Sequence, residues 1–324
     1  MPLETRTSFE PPWWCRSPHR QTLWPSLFRR VPLPPWTRER LELEDGDYLD
    51  LDWWCSGAGR LLIISHGLEG SSRRVYVSGL ARAVRRRGWD VLAWNFRGCS
   101  GEPNRLPRSY HSGATEDLAA VVRHAERRTR AELALAGFSL GGNLTLKWLG
   151  ESGPGTGRVH AGVAVSVPCD LRAAALRMTA PDCAFYMRRF LREMGPKMDA
   201  KRRRFGPAVP AADWRSMRTF QEFDDAYTAP LHGFRDAEEY WARCSSAGFL
   251  PRIERPVLIL NAADDPFLAP ECYPESLARG SDRVTLVVPS NGGHVGFVGR
   301  GGSPGEYWSE RMAVEFLERH LPQP

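Results

Sequence analysis

The chain has 324 residues, 42% hydrophobic and 25% charged, which is the range of globular domains and excludes disorder or a low-complexity fibre as the default state. Its formal net charge of +6 comes from 44 basic residues, nearly all arginine, and 38 acidic ones. Both signs are spread along the chain, so this is a mildly basic mixed surface rather than a nucleic-acid-binding patch. Seven irregularly spaced cysteines with no CxxC pair argue against a disulfide framework and for a reducing compartment.

The first residues, MPLETRTSFEPPWWCR, put charges and prolines where a secretory signal needs an apolar run. No stretch approaches the roughly 18 apolar residues of a membrane span. A soluble, cytoplasmic protein is therefore expected. Residues 1–36 are rich in Pro and Trp and read as an irregular arm packed over the domain. Tryptophan favours water–lipid interfaces, which admits a transient membrane-surface contact. The lack of amphipathic helical spacing favours packing on the chain's own domain.

From Glu39 the pattern alternates. Leu41 and Leu43, a Gly46-Asp47 turn, then Leu49, Leu51 and Trp53 predict a two-stranded hairpin. The run LLIIS at 61–65 has the continuous apolar character of a strand covered on both faces. A helix over 75–84, a strand at 89–94, a helix over 114–125, strands at 132–137 and 161–167 with a helix from Gly141 between them continue the alternation. Residues 171–250 break the rhythm: they carry helical, charged and aromatic segments with no buried strand run. Strands return at 256–260 and 284–288, with a helix near 270–279 and a closing helix over 306–320. The expected architecture is a mostly parallel eight-stranded sheet with helices on both faces. In that reading residues 37–170 and 251–324 form the core, and 171–250 an inserted helical lid.

The motif that carries chemistry is Gly137-Phe138-Ser139-Leu140-Gly141, between a predicted strand and a predicted helix. A serine on so sharp a turn needs small flanking residues, and the helix after it turns its free N–H groups and positive dipole end toward the reacting centre. A hydroxyl is a weak nucleophile without a base. The chain supplies an acid and a histidine just beyond its last two strands: Asp264-Asp265-Pro266 after 256–260 and Gly292-Gly293-His294 after 284–288. Open α/β sheets bind ligands at such strand ends. Ser139 is thus the expected nucleophile and His294 the base. Asp265, directly followed by proline, is favoured over Asp264 as the orienting acid. The expected oxyanion donors are the backbone N–H groups of Leu140 and, in the loop Ser65-His66-Gly67-Leu68-Glu69-Gly70, of Leu68.

Other features attract plainer readings. Cys99 sits beside Arg97 and could have a lowered pKa, but no base accompanies it, so a pocket-shaping loop is preferred. Tyr110-His111-Ser112-Gly113 reads as a helix start, and Lys201-Arg202-Arg203-Arg204 as a solvated helix face. The histidines lack metal-ligand spacing, and neither G-x-G-x-x-G nor G-x-x-x-x-G-K-[ST] occurs, so no metal and no cofactor is expected.

With these residues in view the chain resembles the YheT-like α/β hydrolases, a group with lipid-acting eukaryotic relatives. The resemblance rests on His19-Arg20-Gln21-Thr22, His66-Gly67-Leu68-Glu69-Gly70, Asn95-Phe96-Arg97-Gly98-Cys99-Ser100-Gly101-Glu102-Pro103-Asn104, Tyr110-His111-Ser112-Gly113, Gly137-Phe138-Ser139-Leu140-Gly141-Gly142-Asn143, Asp264-Asp265-Pro266-Phe267 and Gly292-Gly293-His294-Val295-Gly296-Phe297. It implies an α/β-hydrolase fold, a triad of Ser139, Asp265 and His294, and cleavage of carboxylic esters, lipid acyl esters among them. An acyltransferase using the same acyl-enzyme and, further off, a non-catalytic binding protein on this fold are the alternatives. Small-molecule or lipid esters are the expected partners, with no nucleic acid.

Overall fold

The apolar runs form one twisted sheet in a computed structural model that describes residues 3–300 and 306–322. Its strands are β1 (Leu3–Glu4), β2 (Thr37–Glu42), β3 (Tyr48–Trp54), β4 (Arg60–Ser65), β5 (Asp90–Asn95), β6 (Glu132–Phe138), β7 (Val159–Val165), β8 (Val257–Leu260) and β9 (Val284–Val287). Their order is β1-β9-β8-β7-β6-β4-β5-β3-β2. Among the described residues only β2 with β3, and β3 with β5, pair antiparallel. Among the described residues the sheet has nine strands where eight were expected. The ninth is the two-residue β1 beside β9, too short to leave any periodicity in the sequence.

Why β4 reads as an unbroken apolar run is visible in its two faces. Leu61 and Ile63 enter one core with α3 (Thr115–Arg128) and α4 (Leu140–Ser152). Leu62 and Ile64 enter the other with α2 (Val75–Arg85) and α11 (Trp308–His320). Register then sets the site. Ser65 lies opposite Gly137, Val165 opposite Leu260, and Leu260 opposite Val287. The loops leaving these strands therefore emerge side by side at one edge.

Between β7 and β8 the described residues form no strand; helices and turns joined by loops take its place, among them α5 (Leu171–Arg177), the 22-residue α6 (Ala184–Phe205), α7 (Phe220–Phe223), a π turn at Asp224–Thr228, α8 (Ala229–His232) and α9 (Ala237–Cys244). They bury a core of their own around Met178, Met187, Met194 and Met198. The short α10 (Glu275–Arg279) precedes β9. Among the described residues no helix is long and apolar enough to cross a membrane.

The N-terminal arm is not irregular throughout: residues Pro18–Phe28 form α1. Pro25 lies inside this helix, where it removes the donor to the Gln21 carbonyl and reads as a breaker. Tertiary contacts override it. Buried Gln21 donates to the Cys15 carbonyl (2.7 Å) and the Val298 carbonyl (3.0 Å), and its amide oxygen accepts the Val298 N–H (2.7 Å). Two further expectations fail for similar reasons. Residues 110–113 form a loop before α3 rather than its first turn, with the Ser112 N–H donated to the Tyr240 hydroxyl. Lys201 is buried, not solvated, because its ammonium donates to Asn104 Oδ1 and the Leu106 and Arg108 carbonyls at 2.7–3.0 Å. Burial pushes this ammonium's pKa down to about 8.

Candidate active site

Ser139 sits between β6 and α4 at φ 52°, ψ −119°, a conformation that non-glycine residues rarely adopt. Both sides hold it there. Its N–H donates to the Val165 carbonyl (2.8 Å), and its own carbonyl accepts from Gly142 and Asn143 (2.9 and 3.0 Å). A Cβ on Gly137 would collide with the Gly141 carbonyl, and one on Gly141 with the carbonyls of Ser65 and His66. The two glycines therefore permit a turn whose backbones touch.

The His294 imidazole reaches this turn from the loop after β9. Its Nε2 lies 3.0 Å from Ser139 Oγ, and its Nδ1 lies 2.9 and 3.1 Å from the two oxygens of Asp265. With Nδ1–H donating to the carboxylate, Nε2 is left to accept the serine proton. Asp265 is buried, and its Oδ1 also accepts the Phe267 N–H (2.9 Å). The neighbouring Asp264 does not touch the imidazole. It accepts the Gly293 N–H (2.9 Å) and the Asn291 side-chain amide (3.3 Å), and so pins the histidine loop; burial raises its carboxyl above the usual range.

Further groups to which sequence reasoning gave no role hold the same loop. The His294 N–H donates to Thr22 Oγ1 on α1 (2.9 Å), the Val295 N–H to Ser166 Oγ (2.8 Å), and the Phe267 ring packs 4.2 Å from the imidazole centroid. A Cβ on Gly293, which has φ 56°, would press on the Pro18 carbonyl of α1. Nothing local in the sequence links residues so far apart.

The loop after β4 borders Ser139 closely. A Cβ on Gly67 would stand 3.3 Å from Ser139 Cβ. Its shape is set by His66, whose Nδ1–H donates to the Gly67 carbonyl (2.7 Å) while Nε2 accepts the Phe96 N–H (3.1 Å). Burial pushes this imidazole down to about 3, so it stays neutral as a structural bridge. The Gly67 N–H donates to the Tyr76 hydroxyl (3.1 Å), and Glu69, at φ 51°, binds the Tyr110 hydroxyl through both its N–H and its carboxylate. Among the described residues neither the Leu68 nor the Leu140 N–H has a hydrogen-bond acceptor. Both residues border the cavity that reaches Ser139.

Residues 60–300 match the family model of the alpha/beta hydrolase fold. The chain belongs to that family. It is 39% identical over 313 residues to YheT of Escherichia coli (strain K12), provisionally named an esterase, covering 94% of this chain and 91% of that one. It is 28% identical over 308 residues to phospholipase ABHD3 of Bos taurus, covering 92% and 74%. These matches identify it as a YheT-like α/β hydrolase. Among solved structures, the Pyrococcus furiosus esterase Pf2001 shares the fold with a TM-score of 0.59 at 18% identity, over 99% of this chain and 98% of that one.

Two cavities meet at Ser139 and His294. The larger, about 610 Å³, lies under the helices of residues 171–250 and is walled largely by apolar side chains such as Met178, Phe190, Met194, Met198 and Phe223. The smaller, about 280 Å³, runs between α1 and α6, past Thr22, Leu23, Tyr186 and Arg189. Cys99 borders the larger cavity, but its thiol is not activated: burial pushes it up to about 12. Among the described residues no group of three or more His, Cys, Asp or Glu is arranged to hold a metal ion.

Proposed function

We propose that this YheT-like hydrolase cleaves carboxylic esters, with lipid acyl esters as its substrate class, through an acyl-enzyme on Ser139. The observation that carries the reading is the unbroken line from Asp265 through His294 to Ser139 Oγ, with legs of 2.9 and 3.0 Å, opening into an apolar cavity. The names of two relatives, one provisionally an esterase and one a phospholipase, support it.

In this mechanism Ser139 Oγ bonds to the acyl carbon as its proton passes to His294 Nε2. The carbonyl electron pair moves onto oxygen, where the Leu68 and Leu140 N–H groups receive it. Asp265 stabilises the imidazolium and keeps the proton on Nδ1. Collapse expels the alcohol, which takes the proton from Nε2. Water then attacks the acyl-enzyme by the same route and frees the acid. The helices of residues 171–250 act as a lid, and the unbranched methionines of the larger cavity adapt to acyl chains.

Two measurements test this. A fluorophosphonate probe is expected to label the wild type and not Ser139→Ala; undiminished labelling of the variant refutes the nucleophile. Across p-nitrophenyl esters of graded length, kcat/KM is expected to rise from acetyl to longer chains, and a preference for acetyl refutes the lipid assignment.

A further inference from the structure

We propose that residues 11–37 form a docking surface for an anionic lipid bilayer, presenting it to the smaller cavity beside Ser139. This goes beyond the hydrolase reading, since docking requires no chemistry at Ser139. Three independent observations support it.

The first is charge. Between Pro11 and Thr37 there are four arginines and not one Asp or Glu, in a chain with 38 acidic residues elsewhere; Arg29 is taken up by a buried ion pair with Glu310, which leaves Arg16, Arg20 and Arg30 exposed. The second is the face α1 turns outward. Its inner side buries Gln21 and Pro25. A surface helix ordinarily shows charge to water, yet here Leu27 is 67% and Phe28 58% exposed, and Trp13 just before the helix is 74% exposed. Trp14, Trp24 and Phe28 form a ladder at 4.5 and 4.4 Å between centroids. The third is position. Thr22, Leu23, Pro25 and Ser26 wall the smaller cavity, which reaches Ser139 and His294. On the other wall of that cavity, α6 supplies Tyr186, whose hydroxyl bonds His19 of α1 (3.1 Å) and whose neighbour Phe185 is 64% exposed.

Exposed tryptophan with arginine and no acid is the composition of an element lying in the headgroup region of a bilayer. The arginines make that bilayer an anionic one. A lipid held there has its head at the arginines and its ester within reach of the cavity between α1 and α6.

The test uses Ser139→Ala protein, so that no lipid is consumed, sedimented with vesicles of phosphatidylcholine alone or mixed with phosphatidylglycerol. Binding is expected to favour the mixed vesicles strongly and to weaken as salt is raised. Arg16→Gln with Arg30→Gln should lower the partition coefficient about 30-fold, or about fivefold per arginine at an anionic surface. The triple change Trp13→Ser, Leu27→Ser, Phe28→Ser should lower it by about tenfold or more. With Ser139 intact, both sets should hydrolyse a soluble short-chain ester at the wild-type rate, because none of these side chains borders either cavity. Should the triple variant fail to fold, the exposed arginine pair decides. No binding, equal binding to both vesicle types, or binding indifferent to the arginine pair overturns the proposal. So does a dimer in solution that the arm variants split, since the surface would then join two copies of the chain.

Discussion

Asp265→Asn changes one atom's identity and almost nothing in shape, and its effect follows from two hydrogen bonds. Asp265 Oδ1 accepts the Phe267 N–H at 2.9 Å, and Oδ2 faces His294 Nδ1 at 2.9 Å. In the variant the Phe267 N–H claims the amide oxygen, so the new NH2 faces Nδ1. The imidazole must then carry its proton on Nε2, the tautomer that cannot take the serine proton. The lost charge acts in the same direction. An imidazolium about 3 Å from a carboxylate is held by about 6 kcal/mol at an effective dielectric of about 20, or about 10⁴ in rate. Asp264→Asn is the control. Its amide oxygen still accepts the Gly293 N–H and only the 3.3 Å contact with Asn291 is rearranged, so the rate should stay within about tenfold of wild type. The assay is kcat on a p-nitrophenyl ester, normalised by fluorophosphonate titration of active sites. A loss of less than about tenfold for Asp265→Asn, or a larger loss for Asp264→Asn, refutes the assignment of the acid.

Gln21→Leu should destabilise the fold by about 3 kcal/mol, since it leaves two buried carbonyls and the Val298 N–H without partners; an unchanged urea midpoint counts against that account. Asp224, which accepts from Thr228 and the Trp241 indole, has its pKa pushed by burial from 3.8 up to about 7. The folded chain therefore holds this proton more tightly than the unfolded one, and the stability it lends is lost as pH rises from about 4 to about 7. Asp224→Asn can keep both partners by pointing its oxygen at Trp241, so it should flatten the Tm profile across that window, and an unaltered profile refutes the shift. Gly141→Ala drives a methyl into the Ser65 and His66 carbonyls, which cannot yield as a side chain would. It should cost more than about 4 kcal/mol or abolish folding, and a soluble, active variant would mean the turn is looser than described.

Much of the candidate site's geometry was legible because each part is a local signal at a strand end. The glycines around Ser139, the acid pair after β8 and the Gly-Gly-His after β9 each follow a short apolar run, and parallel strands with matched register bring such ends together. The choice between Asp264 and Asp265 was a different matter. Adjacent residues at a strand end differ only in where their side chains point, and that is decided by Phe267 and Gly293, not by any pattern.

What the sequence hid shares one property: the partners are remote. Lys201 looked solvated because it is followed by three arginines, yet its ammonium is satisfied by a loop almost a hundred residues away. The arm containing α1 looked irregular because residues 1–36 are rich in Pro and Trp and show little periodicity, yet the helix is held by contacts to residues beyond 290. Those contacts change the meaning of the arm. Thr22 accepts the His294 N–H, Gln21 clamps Val298, and the Pro18 carbonyl abuts Gly293, so the inner side of one 11-residue helix positions the loop bearing His294. Its outer side carries Trp24, Leu27 and Phe28. A surface seated on those side chains is thus separated from His294 by the width of a single helix, and a shift of α1 by even a fraction of a hydrogen-bond length would be felt at the 3.0 Å contact between His294 and Ser139.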